Sequence, residues 1–165
     1  MNSKSRRDII RYGRILKCVL LVALFAFLAI VYSRENAKDV SMDKIEAQLI
    51  KKTNIEKLQK QKPRDLVQFI GLDANNYEAV LYYKSKEALS VDEVLVIKVK
   101  NKSDVKAVKD AVEKRITSQI EAFDNYGPEQ VKELKNAIVT SRGKYVFYGV
   151  AKDPDKYEEV LLSVI

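Results

Sequence analysis

The residues that could carry out chemistry in this chain are serines, lysines and carboxylates, because it contains no histidine and only one cysteine. Ser-His-Asp and Cys-His catalysis are therefore excluded by composition. The spacing Ser-x-x-Lys, which a serine–lysine nucleophile pair can use, occurs at Ser41/Lys44 and at Ser103/Lys106. Both serines stand where helices are expected to begin, so helix capping explains them without catalysis.

The acidic residues offer a carboxylate pair for glycoside hydrolysis or an oxygen-ligand metal site, and neither pattern is specific. A pair could be chosen among Asp73, Glu78, Asp92 and Glu93, but the abundance of acidic residues makes chance pairs unavoidable. The stretch from Asp73 to Glu78 lacks the central glycine and the glutamate spacing of a calcium loop, so a turn into a strand is favoured. We predict no catalytic residue, no metal site and no cofactor.

Two polar residues interrupt the apolar stripe of a predicted long helix. Gln119 falls within the stripe where an apolar residue is expected, and Arg115 lies one turn earlier at its edge. A buried amide that stays unpaired costs about 1–3 kcal/mol, so Gln119 needs partners. One interpretation is structural, with both residues tying the helix to the turn at residues 126–130. The other is a polar recognition patch formed by Arg115, Gln119, Tyr126 and Gln130.

Tyrosines suggest a second kind of contact. Seven of the nine tyrosines follow residue 32, several of them in predicted strands. Their rings can stack on sugars, so glycan contact is an alternative function. The chain has no tryptophan, and strand tyrosines more often cover the sheet itself, which favours the structural interpretation.

The elements that must position these residues follow from hydrophobic periodicity and from turn residues. They predict an α+β domain, with a small, mostly antiparallel sheet of about four strands and helices packed on one face. The strand order cannot be derived. Strands are predicted at 77–84, 93–100, 138–141 and 144–151, and helices at 41–53, 63–69, from a cap at Ser103 onward, at 128–137 and from 153.

The N-terminal region predicts a membrane anchor. Residues 18–32 carry no charge, and residues 15–32 together form a short span that could cross a bilayer. Residues 1–32 contain six basic residues and one acidic residue, and the basic cluster lies on the N-terminal side, which indicates a cytoplasmic N-terminus. A cleaved signal peptide is the alternative, and both interpretations export the rest of the chain.

The predicted organisation has four parts: a basic cytoplasmic tail at 1–14, a transmembrane signal anchor at 15–32, a charged stalk with a helix at 33–62, and an extracytoplasmic α+β domain at 63–165. The helix at 41–53 can alternatively pack onto that domain. Beyond residue 32 the chain has 24 basic and 22 acidic residues. Because this part is nearly neutral, it lacks the basic surface that phosphate-backbone binding requires, and we exclude nucleic acid as a partner.

A set of spaced signatures in the exported part lies at 69–73, 77–78, 92–94, 97–98, 114–115, 118–119, 123, 126–130 and 143–146. This set resembles the bacterial family known as domain of unknown function 4358. The resemblance covers roughly Met42 to the C-terminus. It implies a protein of Gram-positive bacteria held behind an N-terminal anchor or a lipid-attachment signal, although no cysteine follows the apolar run here. The family implies no catalytic residue.

Together these observations predict a non-catalytic domain at the cell membrane, exposed outside the cytoplasm. We expect it to bind a partner, an envelope protein, in a cell-envelope or surface-polymer system. The alternative is an enzyme that acts on cell-wall polysaccharide, or a module that binds glycan directly.

Overall fold

The computed structural model describes residues 16–29 and 36–165. Its sheet has five strands in the order β1-β2-β3-β5-β4, and all neighbouring strands are antiparallel. The strands are β1 (Gln59–Lys60), β2 (Ala79–Lys84), β3 (Glu93–Lys98), β4 (Ile138–Arg142) and β5 (Tyr145–Val150). The helices are α1 (residues 16–29), α2 (Met42–Lys52), α3 (Pro63–Ile70), α4 (Val105–Phe123), α5 (Pro128–Lys135) and α6 (Pro154–Leu162).

Local signals account for most element boundaries. A proline stands at the first position of α3, α5 and α6, where its missing N–H removes no helical hydrogen bond. Gly71 ends α3 in the left-handed conformation, with φ of 78°. Gly143, with φ of 59°, forms the turn between β4 and β5. Ser103 does not cap α4 directly, because Lys102–Asp104 form a short 3-10 turn first.

The central strands β3 and β5 are buried at every position, so both faces of the sheet are covered. On one face Leu81, Val96 and Phe147 pack with α2 and α6. On the other, Tyr82, Leu95 and Tyr148 pack with α3, α4 and α5. The prediction of helices on one face is therefore wrong. A two-residue edge strand, β1, also brings the sheet to five strands instead of about four.

Helix α2 belongs to the same compact unit as the sheet, which extends from Ala37 to Ile165. Its residues Ile45 and Leu49 are fully buried in the core. The side chain of Tyr145 also holds the chain before α2, since its hydroxyl donates to the Val40 carbonyl at 2.6 Å and accepts from the Val40 N–H at 2.8 Å. Much of the predicted stalk thus packs onto the domain.

Helix α1 is described by itself. It covers residues 16–29 of the predicted span at 15–32, and the predicted basic tail at 1–14 lies outside the described residues. No described helix combines the length and the apolar character needed to cross a membrane. The large apolar side chains of α1 are exposed, from 51% for Leu28 to 70% for Phe25.

We predict that Ile45→Ala in the full-length chain lowers the free energy of unfolding of the domain by about 2–5 kcal/mol, because it leaves a cavity in a fully packed core. Ile50→Ala on the same helix is the matched control. Ile50 is 37% exposed, so its truncation should cost about 1 kcal/mol or less. Urea denaturation followed by tyrosine fluorescence measures both. Equal small losses would show that α2 does not stabilise the domain.

Candidate functional site

A cleft of about 510 Å³ opens where α2, α5 and α6 approach the same end of the sheet. Five lysines line it, and we call it the lysine-lined cleft. Two come from the end of α2, one from the turn that follows, and two from the start of α6 and the loop before it. They are Lys51, Lys52, Lys57, Lys152 and Lys156.

All five lysines are exposed, and none forms an ion pair or a side-chain hydrogen bond with any residue in 36–165. Some other basic side chains of the domain do form ion pairs: Lys60 with Glu46, Lys98 with Asp39 and Glu78, and Lys106 with Asp110. The cleft thus gathers positive charge that no carboxylate in residues 36–165 neutralises by direct contact. Such ammonium groups are available to bind anions, as strongly hydrated point charges.

The backbone that carries the lysines is held by internal hydrogen bonds. The Thr53 hydroxyl donates to the Leu49 carbonyl at 2.6 Å and accepts from the Ile55 N–H at 3.2 Å, which ends α2 and turns the chain. The buried Tyr157 of α6 donates its hydroxyl to Asn54 Oδ1 at 2.8 Å. This hydrogen bond joins the two walls of the cleft, so it holds together the backbone segments that carry the lysines of α2 and α6.

Three carboxyl groups also line the cleft, namely Asp92, Glu133 and Asp153. Burial, followed by the charges of Asp92 and Glu129, raises the pKa of Glu133. Burial and the charges of Asp92 and Asp153 likewise raise the pKa of Tyr157. The Glu133 carboxyl is therefore protonated more readily than that of a free glutamate. The five lysines of the cleft also outnumber its three carboxyl groups.

A second polar cluster lies inside the domain around Glu93, which directly follows the cleft residue Asp92 in sequence. The Glu93 side chain is fully buried on β3 and accepts four contacts. Tyr82 donates to Oε1 and Tyr148 to Oε2, both at 3.0 Å. Arg115 of α4 donates through one Nη to Oε1 at 2.8 Å and through Nε to Oε2 at 3.5 Å. The guanidinium also lies over the Phe69 ring, at 5.6 Å from its centroid.

The electrostatics of this cluster oppose proton transfer. Burial and the negative charge of Glu93 raise the pKa of Tyr82 and of Tyr148 well above the ordinary value, so both remain hydrogen-bond donors. Burial alone would lower the pKa of Arg115, but the hydrogen bond and the charge of Glu93 outweigh it and raise the pKa. Both Glu93 oxygens are already satisfied, which suits a structural anchor and leaves no free lone pair directed at a substrate.

The four residues of the predicted recognition patch are placed differently from one another. Arg115 contacts Glu93 on β3 instead of tying α4 to the turn at 126–130. Gln119 is 9% exposed, and its Oε1 has no hydrogen-bond partner among the described residues. Tyr126 is 64% exposed, with its ring 5.3 Å from that of Phe123, and Gln130 is partly buried beside Gly127. Only Tyr126 offers a largely open surface.

Three of the other residues considered for chemistry, Asp73, Glu78 and Lys106, have structural contacts. Asp73 accepts from the Asn75 N–H at 2.9 Å and so caps a short turn, and Lys106 pairs with Asp110 at 2.6 Å. Glu78 and Asp39 both bind Lys98, whose side chain is 8% exposed. Sequence reasoning missed the lysine-lined cleft. The signals for it were the lysine-rich stretch at 51–62 and the lysines on either side of the proline that starts α6.

Comparison with known proteins gives one match. A family described as Domain of unknown function (DUF4358) matches residues 51–151, which include β1–β5, α3–α5 and most of the cleft. No curated protein and no solved structure is similar enough to match.

We predict that Arg115→Ala lowers the free energy of unfolding by about 3–5 kcal/mol, because Glu93 would stay buried without its counter-charge. Arg64→Ala is the control. The Arg64 side chain is 80% exposed and meets Asp65 at 3.6 Å, so its removal should cost about 0–1 kcal/mol. Equilibrium urea unfolding of the full-length variants measures both. A loss at Arg115 no larger than that at Arg64 would contradict the anchoring role.

Proposed function

We propose a function from the site itself, because this chain belongs to a family that is described only as Domain of unknown function (DUF4358). The chain is a membrane-anchored, extracytoplasmic and non-catalytic domain. It binds an anionic partner of a cell-envelope or surface-polymer system in the lysine-lined cleft. The observation that carries the proposal is the set of five exposed lysines around one cavity, none of which forms an ion pair within residues 36–165.

The geometry supports binding more than catalysis. A catalytic lysine is normally desolvated, so that it can lose its proton near neutral pH, whereas the cleft lysines are exposed to solvent. The cleft contains one hydroxyl side chain besides tyrosine, that of Thr53, and it is already bonded to the backbone. The buried carboxyl group of Glu93 is enclosed by Tyr82, Tyr148 and Arg115.

Two observations support the membrane anchor. Helix α1 leaves its Leu, Val and Phe side chains more than half exposed, and water would be an unfavourable surrounding for that much apolar surface. The residues before it are strongly basic, which the positive-inside rule associates with the cytoplasmic side. The compact unit Ala37–Ile165 then lies on the outer side.

We predict opposite labelling of two cysteine variants, each made in a full-length Cys18→Ser background. In intact cells a membrane-impermeant maleimide should label Lys86→Cys, on an exposed loop of the domain, but should not label Ser3→Cys. Ser3→Cys should become labelled only after permeabilisation. Labelling is read by the mass shift of the chain on a gel.

The labelling result can contradict the anchor in two ways. Equal protection of both positions in intact cells would place the domain in the cytoplasm. A chain that has lost its first residues, and with them position 3, would show that the segment is a cleaved signal peptide and not an anchor.

We predict that cross-linking the full-length chain in intact cells enriches one envelope component, identified by mass spectrometry. Lys57→Glu/Lys156→Glu should reduce that recovery at least about tenfold, because the pair reverses charge on both walls of the cleft. Lys86→Glu/Lys114→Glu is the matched control, with the same charge change at exposed lysines away from the cleft. Equal recovery by both double variants would exclude the cleft as the docking site.

A further inference from the structure

The lysine-lined cleft continues on both sides into adjoining hollows. On the α5 side a hollow of about 340 Å³ shares Glu133, Ala151 and Lys152 with the cleft and adds Lys132. On the α2 side a hollow of about 450 Å³ shares Lys52 and adds Lys38 and Lys44. We call the three together the lysine track. It runs along the surface of the compact unit from α5 across α6 to α2.

Charge along the track is unbalanced. Lys38, Lys44 and Lys132 are exposed and, like the five cleft lysines, form no ion pair within the described residues. The two outer hollows add two acidic residues, Glu129 and Asp39, and Asp39 is already bound to Lys98 at 2.6 Å. The track therefore contains eight lysines and four carboxylates that form no ion pair within the described residues. The excess is local, since the chain beyond residue 32 is almost neutral.

We propose that the lysine track binds a linear polymer with a phosphate in each repeat unit, laid across all three hollows. The inference rests on the proposed function and names the chemistry of its partner. A compact anion would occupy one hollow and leave the outer lysines unused. A chain of regularly spaced phosphates can meet lysines in each hollow in turn, and a flexible ammonium suits a phosphate oxygen whose position varies.

The lining residues argue against nucleic acid as that polymer. Proteins that bind nucleic acid add to their phosphate contacts exposed aromatic rings on which bases stack, and arginine is a frequent partner of base edges. Among the described residues that line the three hollows, Tyr157 is the one aromatic side chain, and it is buried with its hydroxyl on Asn54. No arginine is among those lining residues. The track therefore fits a phosphate polymer without bases.

The test uses the full-length chain in nanodiscs of zwitterionic lipid, with labelled inorganic polyphosphate as the probe and fluorescence anisotropy as the readout. We expect long-chain polyphosphate to bind at least about tenfold more tightly than tripolyphosphate, because only the long chain reaches the outer hollows. The affinity should fall steeply as salt concentration rises, since lysine–phosphate contacts release bound counterions.

Substitutions in the outer hollows make the test specific. Lys44→Gln/Lys132→Gln should weaken binding of long-chain polyphosphate about tenfold and change tripolyphosphate binding less than about twofold. The slope of log affinity against log salt should fall by about one for each lysine removed. Lys86→Gln/Lys114→Gln, which removes the same charge elsewhere, should leave the affinity and the slope unchanged. Circular dichroism confirms that each variant is folded.

Each contrary result would overturn the proposal that the track binds a phosphate polymer. None of these results by itself contradicts the proposed function. Equal affinity for short and long polyphosphate would indicate that the site binds a compact anion instead of a polymer. Equal weakening by the control pair would indicate attraction to net charge alone. Binding to nanodiscs that contain anionic lipid, without binding to polyphosphate, would identify lipid headgroups as the source of phosphate. Loss of all anion binding, with the cross-linked partner still dependent on Lys57 and Lys156, would leave the proposed function standing.

Discussion

Strands β3 and β5 are buried at every position, and the rest of the domain follows from the need to cover both of their faces. One helical layer cannot do this, so α3, α4 and α5 cover one face while α2 and α6 cover the other. The two layers meet at the end of the sheet where β3 begins and β5 ends. The lysine-lined cleft lies there, with Glu133 of one layer opposite the lysines of the other.

Burial of both faces also encloses a charged side chain, that of Glu93, although it stands at the first position of β3. Glu93 points to the same face as Leu95 and Ile97, where water is excluded. Removing a carboxylate from water is costly, and attraction to one cation seldom repays that cost unless every remaining lone pair is used. Arg115, Tyr82 and Tyr148 use them. The cluster therefore fixes α4 against β2, β3 and β5, and this role accounts for its chemistry without a substrate.

Sequence periodicity and turn residues predicted the elements well because these are local signals. Pro63, Gly71, Pro128 and Pro154 mark helix boundaries through backbone geometry alone, and the two central strands are visible as apolar runs. Which face each helix covers is a long-range property. The strong charge of residues 33–62 therefore predicts a stalk there, with packing of the helix at 41–53 onto the domain left as the alternative. Arg115 was visible as an interruption of the α4 stripe, but its partner was not, since Glu93 is one acid among many. The cleft depends on Lys51 and Lys156 meeting in space, which no local pattern encodes.

Average charge hides the distribution that matters for binding. The near neutrality of the chain beyond residue 32 argued against nucleic acid as a partner, but the fold gathers along the track eight lysines that form no ion pair within residues 36–165. Lys60, Lys98 and Lys106 form ion pairs with carboxylates of the domain, whereas the lysines of the track form no ion pair with the described residues. Attraction from exposed ammonium groups is screened within about 10 Å at moderate salt, so a distant negative surface does little to cancel it. A partner that approaches the track meets a local excess of positive charge, and binding there is compatible with a domain that is neutral as a whole.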